Sequence, residues 1–162
     1  MKSLLVAALL LAPIPAVAQG AAVHTRVFAS PADLQALIVK ARGEKHTEGI
    51  GSVYPISVVG PYQMQLEYRT GPTRPALHHQ DAGWAYVVQG TCTLVTQGSL
   101  RDSKPAAPGS TTDVGTAIDN GVSQKLAKGD FIMIPPNMPH QFLDIHGEFI
   151  IVSMHLPMPA QK

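Results

Sequence analysis

The chain has 162 residues, a formal net charge of +1 and 14% charged residues. This length suits one domain with a sizeable core, and the balanced charge provides no basic surface for a nucleic-acid backbone or an anionic membrane. The single cysteine, Cys92, has no partner for an intramolecular disulfide even in an oxidising compartment.

The first eighteen residues have the pattern of a secretory signal peptide. Lys2 precedes an apolar run at 4–12, and the small-residue site Ala16-Val17-Ala18 follows it. The run is shorter than the roughly 20 apolar residues of a membrane-spanning helix, and two prolines after it disfavour a buried N-terminal helix. The sequence predicts cleavage after Ala18 and a periplasmic or secreted mature protein without a membrane segment.

One helix is predicted within an N-terminal lead-in, residues 19–50. Ser30 is a capping residue, Pro31 suits the first helical position, and Asp33 completes a capping-box-like spacing. Apolar residues then recur at helical intervals as far as Gly43. We therefore predict a helix over 31–42 that packs outside a sheet.

From residue 51 the periodicity changes to that of β-strands. Residues 62–69 alternate apolar with polar side chains, which predicts a half-buried strand. Further strands are predicted at 84–89, 91–97, 124–126, 131–134, 141–145 and 148–156. Many short strands with one leading helix favour a closed, double-sheet all-β domain.

Two stretches lack a strand pattern. Residues 98–121 are rich in small and polar residues, which predicts a long structureless loop. Such a loop is either a lid or binding loop or a solvated excursion with no role. The tail, 157–162, is predicted to be disordered.

Two segments carry a more specific pattern. The second in chain order keeps Gly129, Pro135 and His140 at a characteristic spacing, with Asn137 at a turn position where a left-handed conformation is tolerated. The first is the segment 71–90, which begins and ends with glycine and contains His78-His79 and a strand. Together the segments resemble the paired motifs of the cupin superfamily.

The resemblance implies a fold and a set of ligands. The fold is an all-β, cupin-type double-stranded β-helix (a jelly-roll barrel) over residues 51–156, with one N-terminal helix. In this family the first motif supplies two histidines and a glutamate as metal ligands, and the second supplies a histidine. His140 matches that last position and is expected to point into the barrel. Counting from Gly71 places Leu77, His79 and Gly83 at the three positions of the first motif.

The two adjacent histidines are alternatives for one position. Neighbouring side chains of an extended chain point to opposite faces, so we expect only one of them inside the barrel. The motif spacing favours His79, a spacing longer by one residue selects His78, and an irregular loop after Pro75 would let both face one ion. The predicted metal ligands are therefore His78, His79 and His140.

Several other side chains have two interpretations each. Asp81 either supplies the carboxylate missing at Gly83 or lies on a surface loop, and His155 either lines the barrel or faces solvent. His24, His46 and His146 are predicted to be solvated.

The strand that follows Gly83 has a predicted direction for its side chains. If Gly83 faces the interior, alternation also turns Ala85 and Val87 inward and Trp84 and Tyr86 outward. Cys92 is predicted to be buried in a strand.

The resemblance admits more than one function. The first hypothesis is a site for a divalent transition metal (Zn, Fe, Mn, Ni or Cu) at which a small polar or aromatic molecule reacts. The second is a non-catalytic small-molecule binder or sensor with a degenerate metal site, and the third is a structural or interaction barrel. A homodimer is expected from the resemblance alone. No Ser-His-Asp elbow, phosphate loop or dinucleotide motif is present.

The signal-peptide prediction is tested by intact mass. Protein secreted from a Gram-negative host should begin at Gln19, because the small residues before it form the cleavage site. Full-length chain retained in the cytoplasm would remove the basis for an exported protein.

Overall fold

The computed structural model describes residues 27–47, 51–59 and 62–158. The predicted signal peptide, His24 and the end of the predicted tail lie outside these residues. Within them, no helix is long and apolar enough to cross a membrane. Pro157, placed in the tail by the sequence, instead ends the last strand.

The helix forms where its caps predict. Helix α1 spans Pro31–Arg42, and the Ser30 side chain accepts a hydrogen bond from the Asp33 backbone N–H while Asp33 accepts from the Ser30 N–H. This capping box satisfies donors that a helix N-terminus leaves free. Ile38 and Ala41 are buried, and they pack with Leu66 and Tyr68 on the outside of a sheet.

Thirteen strands follow along the described chain. They are β1 (Ser52–Val59), β2 (Tyr62–Arg69), β3 (Ala76–His78), β4 (Asp81–Gln89), β5 (Thr91–Thr96), β6 (Ser99–Arg101), β7 (Lys104–Pro105), β8 (Thr112–Val114), β9 (Ala117–Asp119), β10 (Val122–Ala127), β11 (Phe131–Ile134), β12 (His140–Leu143) and β13 (Phe149–Pro157).

Two larger antiparallel sheets enclose the core. One has the order β1-β2-β13-β4-β11, the other β10-β5-β12-β3-β8-β7, and β6 pairs with β9 in a small third sheet. An apolar cluster that includes Val87, Leu94, Phe142 and Ile151 joins residues of both larger sheets. The predicted all-β jelly-roll barrel with one N-terminal helix is confirmed.

The segment 98–121 differs from its prediction. It contains β6 to β9, so the structureless loop is wrong. Its residues lack the alternation of large apolar side chains that predicts strands. The strands instead depend on pairing that alternation does not reveal, β6 with β9 and β7 with β8 inside the segment and β8 with a strand outside it. β8 pairs with β3, which brings Thr112 opposite His78.

Strand β2 also differs from its prediction. Its apolar face packs against α1, yet Gln65 and Glu67 on the polar face are buried as well. The predicted half-buried strand is therefore wrong, because the barrel closes over the polar face. The turn at Asn137 does adopt the left-handed conformation, with φ 62°.

Burial of Cys92 predicts slow thiol chemistry. The side chain lies in the barrel core at 2% exposure, and burial raises the pKa of its thiol to about 12. Because the thiolate is the reactive form, a thiol reagent should label the native protein slowly and the urea-unfolded protein rapidly. Equally fast labelling of both states would contradict the buried position.

Candidate ligand and metal site

A cavity of about 320 Å³ lies between the two large sheets. Its lining includes Gly83 and Ala85 of β4, and Val87, further along the strand, is fully buried in the apolar core. The inward direction predicted for Ala85 and Val87 is therefore confirmed. Tyr86 does not line the cavity, but Trp84 does, so the outward direction predicted for Trp84 is wrong. The cavity lies where the start of β4 faces β3 and β12.

Three histidines line this cavity. His78 of β3, His140 of β12 and His155 of β13 all contribute to its wall. The ring centroids of His78 and His140 are 5.2 Å apart, and those of His78 and His155 are 4.7 Å apart in an edge-on arrangement. The motif position of His140 thus leads into the barrel, as predicted.

Two of these histidines, His78 and His140, are each anchored through one ring nitrogen. Nδ1 of His78 lies 2.8 Å from the Thr112 hydroxyl oxygen, and Nδ1–H of His140 donates to the Met138 carbonyl oxygen at 3.2 Å. Burial lowers the pKa of His78 to about 4 and also holds the pKa of His140 below its usual value. Both rings are therefore neutral at neutral pH, and Nε2 of each has no hydrogen-bond partner among the described residues.

His79 occupies a different environment. Its Nδ1 lies 2.9 Å from the Asn137 side-chain oxygen and its Nε2 lies 3.2 Å from a carboxylate oxygen of Asp113. The hydrogen bonds to Asn137 and Asp113 raise its pKa. His79 is exposed and does not line the cavity, so the preference for His79 as the inward histidine is wrong.

Strand alternation explains this outcome. Ala76 and His78 both line the cavity, whereas Leu77 between them does not. β3 ends at His78, and the chain bends at residues 79–80 before β4 begins. Counting by twos back from Gly83 therefore selects His79, whereas the alternation within β3 turns His78 inward. The two adjacent histidines face apart, as extended geometry requires.

His155 lies directly across from the vacant motif position. In the β13–β4 pairing, His155 is the partner of Gly83. A Cβ added at Gly83 would meet only Ile134, at 3.9 Å, so this part of the wall is open. Of the two interpretations of His155, the structure supports the one in which it lines the barrel. Asp81 pairs with Pro157 at the strand end and does not line the cavity.

The two remaining described histidines, His46 and His146, have different environments. His146 is exposed, as predicted. His46 is not simply solvated, because its ring nitrogens hydrogen-bond the Ser52 hydroxyl and the Ala41 carbonyl oxygen, and its ring packs 4.7 Å from that of Tyr68.

Glu67 is a buried carboxylate in the cavity wall that was not among the site residues predicted from the sequence. Glu67 accepts hydrogen bonds from the Ser153 hydroxyl and the Gln65 amide, and it forms an ion pair with Arg69. Burial alone would raise its pKa, but the Arg69 charge and these hydrogen bonds hold it below the usual value. Glu67 is therefore an ionised carboxylate inside the barrel. In the sequence, Glu67 is marked only as one of the alternating polar residues of β2. Such alternation by itself predicts that the polar residues face solvent.

The donor chemistry fits a divalent transition metal at the histidine pair. Two imidazoles bound to one ion at about 2.1 Å place their ring centroids roughly 5 Å apart, close to the spacing of His78 and His140. Anchored Nδ1 atoms also match the outer hydrogen bonds that orient metal ligands. Among the described residues, no three His, Cys, Asp or Glu side chains meet as a complete metal site.

Comparisons with known proteins bear on the fold alone. No protein-family model and no curated protein sequence matches the chain. Among solved structures it is similar to KdgF from a Halomonas species, at 14% identity over 71% of this chain and 87% of that chain with a TM-score of 0.49. It is also similar to the TT1209 protein from Thermus thermophilus, at 12% identity over 74% of this chain and 95% of that chain with a TM-score of 0.49.

Burial of the neutral histidines predicts a loss of stability in mild acid. The folded pKa of His78 is about 4 against an ordinary 6.5, so the unfolded state takes up a proton that the folded state excludes. The free energy of unfolding should therefore fall as pH falls from about 6.5 toward about 4. Urea unfolding at about pH 7 and about pH 5 measures this change.

The matched variants are His78→Gln and His146→Gln. The first removes the buried titrating group, so its stability should change less between the two pH values. The second, at an exposed position, should behave as the unmodified protein does. An identical acid loss in all three proteins would contradict the assignment to His78.

Proposed function

We propose that the chain is an exported member of the cupin superfamily that binds a small organic molecule beside a divalent transition-metal ion in its barrel. The observation that carries the proposal is the convergence of His78, His140 and His155 on one cavity. His78 and His140 are neutral and anchored, which is the state that metal ligation requires.

The residues divide the work of such a site. His78 and His140 would hold the ion through Nε2, with His155 as the neighbouring imidazole. A bound ion supplies Lewis acidity and open coordination positions for a ligand. Glu67 contributes a fixed negative charge and hydrogen-bond acceptors, while Ile132, Ile134 and Phe142 form an apolar wall that limits water.

A non-catalytic binder or sensor is the second candidate. It is favoured by Gly83, which leaves no carboxylate at the position where the cupin motif has its glutamate, and by the engagement of Glu67 with Arg69. In that case the histidines serve as hydrogen-bonding groups around the ligand. Export and a homodimer belong to both candidates, on the basis of the N-terminal pattern and the cupin resemblance respectively.

Metal titration of histidine variants tests the first candidate. Zinc affinity, measured by calorimetry on untagged protein, should fall by at least about 100-fold in His140→Ala and in His78→Ala. Even the outer partners of a metal ligand contribute about 10- to 100-fold to affinity, and a direct ligand contributes more.

Two controls match these variants in residue type and in sequence position. His79→Ala, next to His78 but outside the cavity, and His146→Ala, at an exposed site, should leave zinc affinity within about twofold of the starting value. If His140→Ala still binds stoichiometric zinc with unchanged affinity, the proposed metal site is wrong. Absence of zinc binding together with binding of an organic ligand would favour the sensor.

A further inference from the structure

The charges that line the cavity are unequal. Glu67 is the acidic residue of the wall, whereas Arg69 and Arg74 are both basic. Glu67 is already engaged by Arg69, Ser153 and Gln65. Because Arg69 is paired with Glu67, the positive charge of Arg74 has no counterpart among the described carboxylates that line the wall.

Arg69 is held in place with donors to spare. Its Nη2 pairs with Glu67, and its guanidinium carbon lies 4.8 Å from the centre of the Phe142 ring. A Cβ added at Gly51 would come within 2.8 Å of Nη1, so the backbone there packs closely against the guanidinium. Its Nε–H is buried and has no hydrogen-bond partner among the described residues. A buried donor without a partner destabilises the protein unless a bound ligand or water accepts its hydrogen bond.

Arg74 is the second cation, in the segment that connects β2 to β3. It is exposed, lines the cavity and has no ion pair with any described acidic residue. Its neighbour Thr73 is fixed to β12, because the Thr73 hydroxyl accepts from the Phe142 N–H and its carbonyl accepts from the Gln141 amide. The backbone that carries Arg74 is therefore anchored beside the cavity.

The rest of the wall suits an apolar body. Ile132, Ile134, Ile151 and Phe142 line the same space. Its volume of about 320 Å³ is at the lower end of small-molecule sites. The cavity therefore offers cationic donors on one part of its wall and an apolar surface on another.

We propose that the ligand of this cavity is a small organic acid, whose carboxylate binds the guanidinium groups of Arg69 and Arg74 and whose apolar body packs on the isoleucines. A guanidinium is suited to a carboxylate because its N–H donors match the two oxygens. The inference rests on the proposed function only in placing the ligand in this cavity.

The test compares ligands that differ in charge. Benzoate, neutral benzamide and phenyl phosphate are titrated against untagged protein, once with zinc and once with chelator. Binding is followed by calorimetry and by fluorescence of Trp84, the only tryptophan, which lines the cavity. Benzoate should bind at least about tenfold more tightly than benzamide in both conditions, because only benzoate makes charge-assisted hydrogen bonds.

Arginine variants locate the preference. Arg74→Gln should weaken benzoate binding by about fivefold or more and leave benzamide binding unchanged, while Arg74→Lys should retain part of the preference. Arg101→Gln is the matched control, since it removes the same charge from an exposed ion pair with Asp119 that does not line the cavity. Arg69→Lys keeps a positive charge beside Glu67, so the carboxylate stays paired. It removes only the planar guanidinium N–H donors, and so tests whether those donors are needed for benzoate binding.

Each contrary result overturns the inference. Equal affinities for benzoate and benzamide, no binding of either, tighter binding of phenyl phosphate, or a preference untouched by Arg74→Gln would all contradict a carboxylate held by these arginines. A benzoate preference that appears only with zinc and survives Arg74→Gln would place the anion on the ion, which supports the metal site while refuting this inference. Failure of the metal site is measured separately, by zinc affinity.

Discussion

The buried ion pair between Glu67 and Arg69 is the interaction on which the polar end of the barrel depends. A carboxylate inside a protein is strongly unfavourable unless it is paired and hydrogen-bonded. Here Arg69 supplies the charge, and Ser153 and Gln65 donate to the remaining lone pairs. Because Ser153 lies on β13 and is the registered partner of Gln65 on β2, this pair of strands must align correctly for Glu67 to be satisfied. Removing one member of such a pair typically costs about 3–5 kcal/mol.

Helix α1 explains why those polar groups lie inside. It covers the outer face of β2 at Leu66 and Tyr68, so the apolar residues of the strand point outward and Gln65, Glu67 and Arg69 point into the barrel. The interior therefore has an apolar part around Val87 and Leu94 and a polar part with the histidines. Polar groups gathered beside an apolar wall are the arrangement expected of a small-molecule site.

The sequence predicted what local patterns determine. The helix caps, the strands β4, β5 and β11, the turn at Asn137 and the inward position of His140 all follow from spacing and residue type. It could not predict what depends on closure of the barrel. The burial of Glu67 requires knowing that both faces of β2 are covered. The role of His155 requires the register that places it opposite Gly83, and the choice of His78 requires knowing where β3 ends.

The central claim is that His78 and His140 present free Nε2 atoms to one point in the barrel. Anomalous X-ray diffraction at the zinc edge, on crystals grown with zinc, tests it most directly. The account predicts one strong peak at about 2.1 Å from Nε2 of both residues, the usual zinc–imidazole distance. A peak between His79 and Asp113 instead, or a cavity without any peak at saturating zinc, would contradict it.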